Sequence, residues 1–242
     1  MPESSRTGRP DGKSATRNDL VSSVDLVYRN AKMAIMTGEY APEAALRLQE
    51  LAATNGVSMI PVREALRLLE AEGFVEIVPN RGAKVAPLSI ADFIDLHQTR
   101  VVIECEALRQ AIPHITPQQI ARARRYNAKL VKQKLQRGNP SYDDHRAFHF
   151  TLYEPSGSRW LMQMIGTIWD HTERYRRLGA GFVTPDEVFE EHERIVTATE
   201  RGDHAAADLA LRSHLNKTLD IVRQALQSGV AETAGATAGA DR

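Results

Sequence analysis

The chain has 242 residues, 42% of them hydrophobic, which is enough to give one large or two modest domains a core. Lys plus Arg and Asp plus Glu both total 31, so a molecule that holds nucleic acid through a generally cationic surface is excluded, and any such contact must be local. The single cysteine, Cys105, rules out an internal disulfide framework; no apolar run reaches membrane length, and the start MPESSRTGRPDGKSATRND lacks the apolar middle of a secretory signal, so a cytoplasmic protein is expected.

Residues 1–18 are rich in Ser, Arg, Gly and Pro, and residues 229–242 offer little to bury, so both are expected to be disordered tails. The first element is a helix ending near Met36, with Val24, Val27, Tyr28, Ala31 and Ile35 on one face and Gly38 as its stop. After Pro42, ALRLQELAATNG reads as a short extended segment running into a helix that Gly56 terminates. Another helix follows in VSMIPVREALRLLEAEG, where Ser58 is expected to cap the start and Pro61 sits in the first turn, a position whose N–H has no carbonyl waiting for it. Then FVEIVPNRGAKVAP alternates on both sides of Pro-Asn-Arg-Gly, a hairpin signal.

From Ser89 onward the pattern is helical throughout. Six helices are expected: Ile90–Ile112, Pro117–Arg137, Ser141–Tyr153, Arg159–Leu178, Pro185–Arg201 and Asp203–Gln227, punctuated by Pro113, Gly138, Gly157, Gly179 and Gly202. A boundary near Leu88 therefore divides a small α+β domain, residues 19–88, from an all-α one, residues 89–228.

Helix, short strand, helix, Gly turn, helix, hairpin is the order a winged helix-turn-helix requires, with the helix after the turn offering its N-terminal residues to the DNA major groove. Ala52 lets the two helices approach, Gly56 takes the positive φ of the turn, and Val57 anchors it. Ala65, Leu66 and Leu69 form the buried side, leaving Arg63 and Arg67 accessible; Arg63 suits either guanine or phosphate. Arg81, Gly82 and Lys84 would form the wing tip. The stretch ELAATNGVSMIPVREALRLLEAEGFVEIVPNRGAKV resembles the DNA-binding domain of the GntR family of bacterial transcription regulators, in which the turn, the PVREAL block and the wing glycine stand in the same register. The resemblance implies operator contacts from Ser58, Arg63 and Gly82. Met59 stands where many members carry a base-reading Arg, and Glu43 where the usual turn has Gly.

The second half holds most of the eight histidines. His145 and His149 are four apart, so one helix face presents both imidazoles, and His192 and His214 lie on two later helices joined by the Gly202 turn. Convergence of the four would suit a divalent ion, Zn²⁺ first, with Ni²⁺ or Mn²⁺ as alternatives; a solvated or core pair is the competing reading of an isolated i,i+4 pair. The blocks HRAFHFTLYEPSG, EEHERIVTATERGDHAAADLALRSHL and LHQTRVVIECEALRQAI resemble the FCD effector domain of the FadR branch of the same family, a six- or seven-helix bundle with metal ligands. The resemblance implies His149, His192 and His214 as ligands, with His145 in the place of the usual Asp. A four-His site would carry one more unit of positive charge. Arg100 and Glu104, one turn apart, read either as a buried ion pair or as an Arg aimed at an anionic effector, and Arg174 is a second effector candidate. His97, His114, His171 and His204 are expected to be structural or exposed.

The implied function is a DNA-binding regulator, expected to be a repressor working as a homodimer on double-stranded operator DNA. The resemblance points to a small organic-acid or sugar-acid effector bound at the metal. The alternatives are an ion that is itself the effector, a purely structural ion, or a metal-dependent hydrolase; no H-E-x-x-H motif or similarly placed base supports the last. No membrane partner is expected.

Overall fold

The computed structural model describes residues 17–79, 81–138 and 140–228. The expected tails lie outside these residues, apart from the two that open the first helix. In the N-terminal unit, α1 (Arg17–Met36) leads through β1 (Ala45–Leu46) to α2 (Leu48–Asn55), α3 (Met59–Ala71), β2 (Val75–Val78) and β3 (Gly82–Val85). The three strands form one antiparallel sheet in the order β1-β3-β2, with Leu46 opposite Ala83 and Val75 opposite Val85. Its core is the apolar stripe of each helix folded onto the sheet: Val27, Ala31 and Ile35 of α1, Val62, Leu66 and Leu69 of α3, and Phe74, Ala83 and Val85.

Gly56 ends α2 in the left-handed conformation, φ 64°, and turns the chain directly into α3. Ser58 occupies the N-cap position of α3, but its side chain makes no capping bond, a departure from the sequence reading; the exposed first turn leaves its donors to solvent. Glu43 has φ 64°, alone among the described non-glycine residues in adopting positive φ, a conformation that glycine, the residue in the resembled turn, takes without strain.

The second unit consists of α4 (Ile90–Ala111), α5 (Pro117–Arg137), α6 (Tyr142–Tyr153), α7 (Arg159–Arg176), α8 (Pro185–Glu200) and α9 (His204–Gln227). A 3₁₀ segment, Arg177–Phe182, takes over where the sequence suggested two further residues of α7. There the backbone comes so close to α9 that a Cβ on Gly179 would lie 2.2 Å from Ile221 Cγ2. Capping boxes start α5 at Thr116 and α8 at Thr184, and Ser89, Ser158 and Asp203 cap α4, α7 and α9. The bundle core runs from Ile103 and Leu108 through Leu130, Phe148, Leu152 and Ile165 to Ile195 and Leu211.

The two units meet along α7. His171 stacks on Phe74 at 4.3 Å, Lys32 is shared between Glu72 and Asp170 at 2.8 Å each, and Arg174 donates to the Ala86 carbonyl of the linker. Tyr142 packs against both cores. Among the described residues no helix is long and apolar enough to cross a membrane.

Candidate metal centre and nucleic-acid interface

Four buried histidines converge inside the bundle. His145 and His149 come from α6, His192 from α8 and His214 from α9, and one nitrogen of each lies within 4.8 Å of the others. Neighbouring rings stand 4.8 to 5.5 Å apart between centroids. Nitrogens about 2.0–2.1 Å from one tetrahedral zinc ion are about 3.4 Å apart, so a contraction of at most about 1.4 Å closes the set.

The hydrogen bonds behind the rings fix which nitrogen faces inward. Glu191 accepts from His214 Nδ1 at 2.9 Å, so the Nε2 lone pair of His214 is free. Asn127 donates its amide to the Phe189 carbonyl at 3.1 Å, which turns its oxygen toward His192 Nδ1 at 3.2 Å. The Tyr153 hydroxyl donates to Glu104 at 2.7 Å, so its oxygen accepts from His149 Nδ1 at 3.1 Å. His149 Nε2, His192 Nε2 and His145 Nδ1 are then buried with no hydrogen-bond partner among the described residues. Orphaned buried nitrogens are costly, and three in one cluster is the arrangement a cation resolves.

Burial, with neighbouring positive charge, pushes the pKa values of His145, His149 and His192 well below the ordinary imidazole value, which keeps them neutral, as ligands must be. Burial would raise Glu191, but the bonds from His214 and Lys217 hold its carboxylate below the usual range, so it remains the acceptor that orients His214. The residues present thus fit a divalent cation, and the all-imidazole donor set favours Zn²⁺ or Ni²⁺ over the oxygen-preferring Mn²⁺.

A cavity of about 70 Å³ adjoins the cluster, lined by His145, His192 and His214 together with Arg176, Lys134 and apolar residues that include Val188 and Ile221. Neither arginine anticipated for an effector lines it. Arg100 lies beneath Trp169, 4.9 Å from the ring, and forms a buried ion pair with Glu104, which also takes the Tyr153 hydroxyl. It therefore acts behind His149, not in the cavity. Arg174 faces the linker instead. Arg176, which sequence reasoning passed over, is the guanidinium on the cavity wall; its position seven residues after Trp169 on α7 places it on the same helix face, and that spacing was the available signal. Glu173 grips it through two bonds of 2.7 Å.

A second concavity, of about 820 Å³, opens between α3 and the wing. Met59, Arg63, Arg67, Arg81 and Gly82 line it, as does Arg47, whose role just ahead of α2 gives no sequence motif. Four arginines face two glutamates there, a local cationic surface on a chain of zero formal net charge. Arg63 is exposed and has no partner among the described residues, whereas Arg67 pairs with Glu64 at 2.8 Å. Lys84 is held between Glu43 and Glu76 at 2.9 Å each and does not line the groove. Gly82, at φ 97°, has a structural duty as well, since a Cβ there would lie 2.6 Å from the Leu46 carbonyl oxygen. Ser58 is exposed at the start of α3 but outside the groove lining.

Comparison with known proteins finds a family match for each of the two units. The model of the bacterial regulatory proteins of the gntR family matches residues 24–85, and the FCD domain model matches residues 95–217. The HTH-type transcriptional regulator BphR of Paraburkholderia xenovorans is 30% identical, over 84% of this chain and 86% of its own. The HTH-type transcriptional repressor GlaR of Escherichia coli is 27% identical, over 82% of this chain and 95% of its own. In structure, E. coli McbR/YncC superposes with a TM-score of 0.70 at 22% identity, covering 84% of this chain and 97% of that one. The chain belongs to the GntR family of bacterial regulatory proteins and carries an FCD domain: it is a DNA-binding transcription regulator and not an enzyme.

Proposed function

We propose that the protein is a cytoplasmic, homodimeric repressor whose affinity for operator DNA is set by a small carboxylate, an organic or sugar acid, bound beside a divalent cation in the bundle. In this reading residues 19–88 bind DNA and residues 89–228 bind effector and dimerise. The observation that carries it is the set of four buried imidazoles, three with an orphaned nitrogen in the cluster and three held in one tautomer by Tyr153, Asn127 and Glu191.

A divalent cation held by His145, His149, His192 and His214 would supply a Lewis-acidic position open to a carboxylate oxygen. The four neutral ligands leave its double charge uncompensated, so the cavity favours an anion more than one containing an Asp ligand would. Arg176 and Lys134 add positive charge to the wall, and Val188, Ile221 and Val222 restrict the apolar part of the guest. On the DNA side, Arg63, Met59, Arg67, Arg81 and Gly82 face the groove and Ser58 flanks it; the unpaired Arg63 is the residue suited to a bidentate base contact. Dimerisation lets two such short helices read a pseudo-palindrome. GlaR, a named repressor among the relatives, supports the direction of control.

Metal analysis of the purified protein, paired with a thermal-shift screen of small carboxylates before and after chelation, tests this. Bound metal, and one acid raising the melting temperature only in the metal-loaded protein, is the expected result. Absence of metal, or operator affinity that follows the ion alone, would refute the carboxylate reading.

A further inference from the structure

The junction between the two units contains a cavity of about 200 Å³ that shares no lining residue with the one beside the histidines. Its walls are the C-terminal end of α1 around Gly38, the linker at Leu88, and two arginines, Arg174 of α7 and Arg177, which opens the 3₁₀ segment after it. Among the described residues no Asp or Glu lines it.

Among the described residues neither arginine has a counter-ion within salt-bridge distance. Arg174 is 7% exposed, and among the described residues its one hydrogen bond runs from a terminal nitrogen to the Ala86 carbonyl, leaving Nε and the other terminal nitrogen without acceptors. Arg177 makes no hydrogen bond or ion pair with any described residue; its Nε lies 3.6 Å from the place a Cβ on Gly38 would occupy. The carboxylates that act electrostatically on them, Asp92 on Arg174 and Glu173 on Arg177, are hydrogen-bonded elsewhere: Glu173 to Arg176 by two bonds of 2.7 Å, and Asp92 to the Tyr175 hydroxyl. Burial lowers the pKa of both guanidinium groups, the direction expected of cations that have lost water without gaining an anion.

The C-terminal end of α1 gives partial relief, since helix carbonyls there carry roughly half an elementary negative charge. That explains why an arginine rests against Gly38, but half a charge cannot balance two guanidinium groups. A buried cation without a partner is costly, and a fork of N–H donors beside a cavity is the arrangement that takes a planar or tetrahedral oxyanion.

We propose that this junction is an anion site, in which a small carboxylate or phosphate binds between Arg174 and Arg177. Because Arg174 also holds the Ala86 carbonyl and Arg177 abuts α1, a bound anion fastens the end of α7 to the DNA-binding unit. The site is independent of the histidine cluster and of any metal there.

The test uses the full chain after chelation, and in parallel a His149→Ala/His192→Ala variant, with melting temperature and calorimetric binding followed at constant ionic strength. Inorganic phosphate and succinate are titrated separately, with chloride as the balancing ion. The expected result is a saturable rise in melting temperature that survives chelation and both His substitutions. Arg177→Gln should weaken it by at least about tenfold, and Arg177→Lys, which keeps the charge and loses the fork, by about threefold. A response to phosphate alone assigns the site to phosphates, to succinate alone to carboxylates, and to both to oxyanions in general. A rise linear in salt, one unchanged by Arg177→Gln, or one abolished by chelation would overturn the proposal.

Discussion

Control of DNA binding by the bundle requires that the two units be energetically joined, and Lys32 is the residue on which that joint is most exposed to test. Its ammonium group lies 2.8 Å from Glu72 at the end of α3, 2.8 Å from Asp170 on α7 and 3.1 Å from the Tyr28 hydroxyl, with the Phe74 ring centroid 4.9 Å away. Burial would lower its pKa, but the bonds to Asp170, Glu72 and Tyr28 outweigh this and hold it above the usual lysine value. Lys32→Met keeps the stem and removes the charge, so Glu72 and Asp170 face each other across the junction without the cation between them. Removing one partner of a fully buried pair costs about 3–5 kcal/mol, and exposed pairs are worth about 0–1. Side-chain exposures of 16% for Lys32, 35% for Glu72 and 18% for Asp170 place this cluster between those limits. The expected loss is therefore about 2 kcal/mol.

The assay follows from where the chromophores lie. Both tryptophans, Trp160 and Trp169, are on α7, so their fluorescence reports the bundle, whereas far-ultraviolet circular dichroism reports helices of both units. In urea the two signals should fall together in the parent protein and separate in Lys32→Met, with the N-terminal unit unfolding first, because coincidence of probes is the mark of one cooperative transition. A Lys32→Met/Asp170→Asn double variant should lose less than the sum of the single ones. A Lys32→Met protein within about 0.5 kcal/mol of the parent, with its two transitions still coincident, would refute the joint.

Asn127→Ala and Glu191→Gln leave all four imidazoles in place but release the orientation of His192 and His214, so competitive chelator titration should show metal affinity reduced by about 10–100-fold in each, and unchanged affinity would mean that these bonds do not set the ligands. Glu43→Gly should stabilise the protein by about 1 kcal/mol in denaturant titration, because relief of the left-handed backbone exceeds the loss of an exposed ion pair to Lys84; a destabilised variant would contradict this. In metal-free protein, His145, His149 and His192 stay neutral when folded and protonate near pH 6.5 when unfolded. The unfolded state then binds more protons below that pH, so stability should fall as pH is lowered from 7 toward 5, at up to about 1.4 kcal/mol per pH unit for each histidine; a flat profile in calorimetry would show that the cluster is hydrated or already charged. Arg63→Ala should cost about 1–3 kcal/mol in operator affinity and relax sequence preference at one position; an equal loss on all sequences, with a shallower salt dependence, would show a phosphate contact instead.

The elements that were legible in the sequence are those written in local chemistry. Gly56 and the apolar period of α3 announce the turn and the buried face, and the helix starts expected at Ile90, Pro117, Ser141, Arg159, Pro185 and Asp203 fall within one residue of those found. The histidines were legible for the same reason, since an i,i+4 pair fixes direction on one helix and the Gly202 turn returns α9 along α8. What escaped depends on tertiary placement. Two arginines on one turn of α7, Arg174 and Arg176, diverge to opposite sides, and only the packing of α7 against the linker at Ala86 on one side and the histidine cluster on the other decides which of them reaches the cavity. Arg47 gives no pattern because the groove it lines is created by the wing folding back beside α3. Ser58 is a cap by position and not by bond, which residue type alone does not distinguish.

The course of α7 also explains how a site in the bundle can act on the DNA-binding unit. Trp169 and Arg176, seven residues apart, share the face that meets the histidines and the cavity. Asp170, His171 and Arg174 lie on the face that meets Lys32, Phe74 and Ala86. Because these contacts belong to one hydrogen-bonded helix, a shift of α7 that adjusts Trp169 or Arg176 to an occupied cavity must also displace Asp170 and His171, whose partners have little free space in which to follow. Coupling of this kind exists only if the occupied and empty cavities prefer different positions of α7, so a bound carboxylate should change the accessibility of Lys32 to acylating reagents in solution. Protection of Lys32 that is identical with and without effector would leave α7 a rigid strut, and control of the operator would have to pass through the dimer instead.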